Sequence, residues 1–326
     1  YRNSNSSSKY KKIISNSDLI SSGTPAVYQL RTKWNFGKPN TRITFGEKNP
    51  DKTNKIILLV GETGAGKSTL INALFNYSMG VKWEEKIWFQ MVEREKSLTE
   101  SQTSDVIVYE IFDFEDKTLP YSVTIIDTPG YGNTRGIEHD AITNQKLLKF
   151  FQSEDGVHEV HAVGLVLKAT DNRMNYQPIY VLDSVMSLFG KDLEKNIVSL
   201  ITHSDGGKPK NPLKAIEEAK IKCARNENNE PVYFLFNNKQ TEDRTEEDEY
   251  LQCAGKLSMT NIEKFTDFLE KVEPRKLLMS SEVLDNQIKL TACIKNLQEK
   301  IKLTEKKQTE IKQIQEALKK HEEEMT

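Results

Sequence analysis

The segment Gly61-Glu62-Thr63-Gly64-Ala65-Gly66-Lys67-Ser68-Thr69 places three glycines, a lysine and two hydroxyls directly after the apolar run IILLV. It fits G-x-x-x-x-G-K-[ST] between a strand and a helix, the setting in which that pattern carries chemistry. A polyphosphate is recognised by backbone N–H groups curling around it, and side chains would hold the backbone too far away. Gly61, Gly64 and Gly66 remove that obstruction and permit unusual φ/ψ. The helix N-terminus that follows adds partial positive charge. Lys67 offers a full charge to the β- and γ-phosphates and Ser68 a hydroxyl for Mg²⁺. Residues 61–69 are therefore read as a nucleotide-phosphate loop.

Two further stretches complete such a site. Asp127-Thr-Pro-Gly130 ends a later apolar run; an acidic residue there can hold Mg²⁺ through water, and the Gly130 N–H can meet a γ-phosphate. Thr202-His203-Ser204-Asp205 ends another run. A carboxylate at Asp205 can accept from guanine N1–H and N2–H₂. Adenine lacks that donor pair and would leave a buried carboxylate unpaired, at a cost of several kcal/mol. His203 stands where a Lys usually packs flat on the base. The competing reading of Asp205 is a cap on the loop SDGG.

A switch threonine that senses γ-phosphate and Mg²⁺ is expected in KSLTESQTSD. Thr103 is favoured over Thr99, with both kept open. The expected metal ligands are Ser68, Thr103 and Asp127. The expected catalytic set is Lys67, Thr103, Gly130 and Arg135, with His139 an alternative to Arg135 as charge donor or water-positioner. Tyr131 follows DTPG where a water-positioning Gln is usual, so intrinsic hydrolysis is expected to be slow.

Positioning these groups requires a particular set of elements. The runs at 56–60, 106–111, 121–127, 162–169, 197–203 and 232–236 are apolar throughout, and AITNQKLLKFF, IYVLDSVMSLF and PLKAIEEAKI between the later ones are amphipathic. Strands apolar on both faces, separated by helices, require a mostly parallel six-stranded sheet covered by helices on both faces. No helix separates the second and third runs, which predicts an antiparallel hairpin at one edge. Residues 1–25 are polar and Ser-rich and are expected to be a flexible arm. Residues 26–53 carry VYQL and TRITF, expected as a β-hairpin extension. The nucleotide-binding domain is expected over 54–273, with an acidic surface segment at 241–249 and a closing helix at 261–272.

Residues 274–326 read differently. Val283, Leu290, Leu297, Thr304, Ile311, Leu318 and Met325 recur every seven residues, while the partner positions mix Ile294 and Ile301 with Gln287, Gln308, Gln315 and Glu322. This predicts a long helix that either pairs with a second chain as a coiled coil or folds back on the domain.

The chain has 326 residues, 37% hydrophobic and 29% charged, with a formal net charge of -2. That suffices for one large domain with an appendage and provides no general attraction to nucleic acid or anionic membrane. Cys223, Cys253 and Cys293 are odd in number and widely spaced, which fits neither a disulfide framework nor a zinc site and points to the cytoplasm. No apolar run reaches the ~18 residues that span a bilayer. The chain starts at Tyr1, not Met, and is expected to be a fragment.

GETGAGKST, DTPG, the T-x-x-D strand end, SLFGKDL and FNNK together resemble the septin-related P-loop GTPases, closest to the immunity-associated GTPase family and the chloroplast import-receptor GTPases. The resemblance covers about residues 54–272. It implies a Ras-like fold, GTP/GDP and Mg²⁺ as ligands, and Asn237 or Asn238 beside the guanine. It also implies a homodimer through the nucleotide face, with the C-terminal helix as the other candidate surface. THSD replaces the family's N/TKxD, and neither flanking region is explained by the match. The expected function is slow GTP hydrolysis in a switching or assembling GTPase with an unknown protein effector. The alternatives are a septin-like scaffold that holds nucleotide without significant turnover, and an ATPase.

Overall fold

The computed structural model describes residues 9–35, 41–92, 106–112, 118–129, 137–153, 156–173, 176–244, 249–277 and 281–324. The chain divides into two units, Tyr1–Leu278 and Met279–Thr326. The first opens with α1 (Lys11–Ser15), β1 (Ser17–Ser21), β2 (Ala26–Leu30), β3 (Lys33–Asn35) and β4 (Thr41–Phe45). Then come β5 (Asn54–Gly61), α2 (Lys67–Ser78), β6 (Ile87–Gln90), β7 (Ile107–Ile111), β8 (Ser122–Asp127), α3 (Ile137–Gln152), β9 (Glu159–Val160) and β10 (Ala162–Lys168). After α4 (Tyr176–Phe189) follow β11 (Ile197–Thr202), α5 (Lys210–Glu218), β12 (Tyr233–Leu235), α6 (Glu249–Lys271) and β13 (Arg275–Lys276).

The main sheet has the order β12-β11-β10-β5-β8-β7-β4-β3. Its first six members are the six apolar runs, and the pairs from β12 through β8 are all parallel. β5 sits at the centre because its side chains from Ile56 to Val60 are buried on both faces, which only helices on either side can arrange. Alternate residues serve alternate faces. Ile57 and Leu59 join a core with Leu70, Phe75, Phe89 and Phe265. On α3 and α4, Phe151 meets Phe189 edge-on at 5.1 Å between ring centroids. Burying each such ring stabilises by about 1.5–3 kcal/mol.

β7 and β8 form the expected antiparallel pair, but not at an edge. β4 adds to β7 in parallel and β3 to β4 in antiparallel, making eight strands. The expected pairing of VYQL with TRITF does not occur. VYQL lies in β2, which pairs with β1 and β6 in a separate three-stranded sheet. The flexible arm also needs correction: residues 9–25 are folded. Tyr10 and Ile13 are buried, the Tyr10 hydroxyl donates to Gly80 O at 2.8 Å, and its ring lies 6.0 Å from that of Phe89. Two apolar side chains one turn apart suffice to dock this short helix despite its polar surroundings.

Two asparagines on α2 hold β6. The Asn76 carboxamide donates to Phe89 O at 2.7 Å and accepts from Phe89 N at 3.0 Å. Asn72 Oδ1 accepts from Met91 N and Val92 N. Phe89 is fully buried, so Asn76→Ala leaves its backbone N–H and C=O unpaired away from water. The expected loss is about 2–4 kcal/mol of stability, measured as a lower denaturation midpoint. An unchanged midpoint would refute this role.

The second unit contains α7 (Ser281–Glu324), 44 residues long and about 66 Å at ~1.5 Å per residue. Leu297, Ile301, Ile311 and Leu318 on it are exposed. Among the described residues, no helix is long and apolar enough to cross a membrane.

Candidate nucleotide site

The loop 61–66 leaves the C-terminal end of β5 and enters α2 through Gly66, whose φ of 97° caps the helix in the left-handed region; Gly64, at φ 74°, shares that conformation. Glycine is the residue that adopts both without steric strain. Gly61 is a glycine for another reason than the one expected. A Cβ there would lie 2.6 Å from the carbonyl oxygen of Val166 on β10, so the neighbouring strand, not a ligand, forbids a side chain.

Lys67 is 7% exposed. Its Nζ donates to Gly61 O at 2.8 Å and Glu62 O at 3.1 Å, which holds the ammonium inside the curl of the loop. Burial pulls its pKa down, and the charges of Asp127 and Glu62 pull it partly back. Ser68 and Thr69 are exposed on the first turn of α2, as is Thr63 on the loop, whereas Ala65 is buried.

Asp127 ends β8 in register with Leu59 of β5, one strand over from the loop. It is 4% exposed, and its Oδ1 has no hydrogen-bond partner. Burial raises its pKa to about 6, against the pull of Lys67. An unpartnered, buried carboxylate oxygen costs free energy unless a cation or donor meets it. Thr128 anchors the turn, its hydroxyl donating to Leu59 O at 2.8 Å.

At the end of β11, Thr202 proves to be a support. Its hydroxyl is within hydrogen-bonding distance of Ala65 O at 2.7 Å and Leu167 O at 3.2 Å, and it packs 3.2 Å from where a Gly66 Cβ would be. It therefore ties β11 to the phosphate loop instead of reaching a base. His203 is exposed at φ 53°. Asp205 is exposed, and its Oδ1 accepts from Gly207 N at 2.9 Å; the loop-capping role is real, and it leaves Oδ2 outside that turn bond. Ser204 N donates to Phe236 O at 3.0 Å, which brings the β11 loop beside Asn237 and Asn238. Asn237 is buried and fixed through Ser258 Oγ, and Asn238 Oδ1 accepts from Gln240.

The structure thus gathers residues 61–69, Asp127, Thr202, His203, Asp205, Asn237 and Asn238 at the C-terminal edge of the parallel strands, where open α/β sheets bind ligands. Thr99, Thr103, Gly130, Tyr131 and Arg135 lie outside the described residues. His139 falls in the first turn of α3. Sequence reasoning missed Tyr250, whose hydroxyl meets Asn237. Its position next to the acidic segment gave no periodic signal.

The profile of the AIG1 family matches residues 55–282, well over half of the chain. Septin-1 of Drosophila melanogaster is 29% identical over 125 residues, 36% of this chain and 30% of the septin. Septin-9 of Rattus norvegicus is 30% identical over 166 residues, 46% of this chain and 26% of the septin. The chain spans less than a third of the length of these relatives. Among solved structures, Toc33 from Arabidopsis thaliana in complex with Mg²⁺ and GMPPNP matches at 15% identity and a TM-score of 0.45, over 70% of this chain and 89% of that one.

Proposed function

The chain belongs to the AIG1 family, among the septin-related P-loop GTPases, and on that premise we propose that it binds GTP with Mg²⁺, hydrolyses it slowly to GDP and assembles according to the nucleotide held. The observation that carries this reading is the pair of buried, opposite charges at the start of α2 and the end of β8. Lys67 is held inside the loop by two carbonyls, and Asp127 keeps one oxygen without a partner.

Neither charge repays its desolvation within the protein alone, and a triphosphate with a cation would complete both. Lys67 and the N–H groups of residues 61–68 bind the phosphate oxygens and hold them in line for attack. Ser68 and Asp127 would hold Mg²⁺, which supplies charge neutralisation on the β- and γ-phosphates. Asp205 takes the N1–H and N2–H₂ of guanine. Tyr131 lacks the carboxamide that orients water, which supports a slow intrinsic rate. The exposed apolar residues at seven-residue spacing on α7 support pairing with a second copy.

The test is the nucleotide released by the purified full chain on denaturation, together with sedimentation in GDP and in a non-hydrolysable GTP analogue. Guanine nucleotide, faster release in EDTA and a larger species with the analogue are expected. Preferential ATP binding would overturn the GTP reading. Nucleotide-independent assembly without phosphate release would instead favour a scaffold.

A further inference from the structure

The two loops expected to read the base both rest on α6. A Cβ at Gly206 would lie 3.8 Å from the Leu257 side chain, and Asn237 N donates to Ser258 Oγ at 2.9 Å. Tyr250 lies two turns before them, on the face that Leu257 shares at i+7. It is 58% exposed, although its polar and aromatic parts both have partners. The Asn237 carboxamide, itself 7% exposed, donates to Tyr250 Oη at 3.4 Å. Lys239 Nζ stands 5.1 Å from the ring centroid and also pairs with Glu242 at 3.2 Å. The side chain is oriented at both ends while much of its surface remains open.

We propose that Tyr250 is a specificity-determining residue of the nucleotide site, donating its phenol proton to the 6-keto oxygen of guanine. The argument is one of hydrogen-bond polarity. A phenol oxygen that accepts from Asn237 keeps its own proton to donate. Guanine offers an acceptor at position 6, whereas adenine offers an amine that can only donate there. Tyr250 and Asp205 then read neighbouring groups of one purine: the carboxylate takes the N1–H and 2-amino donors, the phenol the 6-keto acceptor. This inference rests on the GTP reading above.

The experiment compares the full chain with its Tyr250→Phe variant, titrated with GDP, with IDP (6-keto and N1–H, no 2-amino) and with 2-aminopurine riboside diphosphate (2-amino, neither 6-keto nor N1–H). Tyr250→Phe keeps the exposed ring and removes one oxygen. Loss of one hydrogen bond should raise Kd for GDP and for IDP about fivefold to tenfold. The 2-aminopurine nucleotide should bind both proteins alike, so the preference for GDP over it shrinks by the same factor. If wild type binds GDP and the variant matches it on all three ligands, the proposal is wrong. Equal weakening on all three would also overturn it, since that marks a role in shape, not in reading the 6-position. Failure of wild type to bind any guanine nucleotide would refute the GTP reading itself, and this inference with it.

Discussion

Lys67→Met should weaken guanine-nucleotide binding by about 10²–10³-fold, the scale expected when one partner of a buried, hydrogen-bonded charge pair is removed. Methionine retains most of the aliphatic stem, so packing around the N-terminus of α2 is kept. What disappears is the ammonium that Gly61 O and Glu62 O hold in the loop. Burial already depresses the pKa of that group, which means the folded chain bears a desolvation cost for it without ligand. Removing the charge should therefore leave the nucleotide-free fold intact, as circular dichroism and the melting temperature can verify. Affinity within a few-fold of wild type would contradict the assignment of Lys67 to phosphate.

Asp127→Asn should separate stability from binding. In the nucleotide-free chain, burial raises this carboxyl from an ordinary value of 3.8 to about 6. Between those values the folded chain holds a proton that the unfolded chain has released. Stability therefore falls as pH rises through that window, and the loss persists at pH 7. The difference is on the order of 3 kcal/mol. Asparagine carries no charge, so the variant without nucleotide should melt several degrees higher at pH 7. Near pH 4 the advantage should vanish, because wild type is protonated there too. The same change removes the carboxylate expected to hold Mg²⁺, so Mg²⁺-dependent tightening of nucleotide binding should be lost. Identical melting of the two proteins at pH 7 would mean that Asp127 is not an uncompensated buried charge.

Part of the candidate site is legible in the sequence alone. The phosphate loop announces itself because its glycines, lysine and serine are contiguous, and contiguous residues keep their geometry wherever the strand and helix go. Asp127 was legible as a strand end, since an apolar run of strand length stops at it, and Asp205 as a loop residue three positions past the end of β11. The roles of individual residues were less so. Gly61 looked like a position cleared for phosphate but is required by Val166 on a strand about 100 residues later. Thr202 looked like part of a base-reading motif, yet its hydroxyl is spent on Ala65 and Leu167. Such roles depend on which backbone lies across the sheet.

By itself, the amino-acid sequence determined the six buried strands of the main sheet, the phosphate loop and the long C-terminal helix. Each is encoded by local periodicity or by a short motif. Only the tertiary structure decided that Tyr10 and Ile13 dock the polar N-terminal segment, that β3 and β4 widen the sheet to eight strands, and that Tyr250 stands beside Asn237. These outcomes are set by contacts between residues far apart in the chain, where burial of a few side chains outweighs local composition.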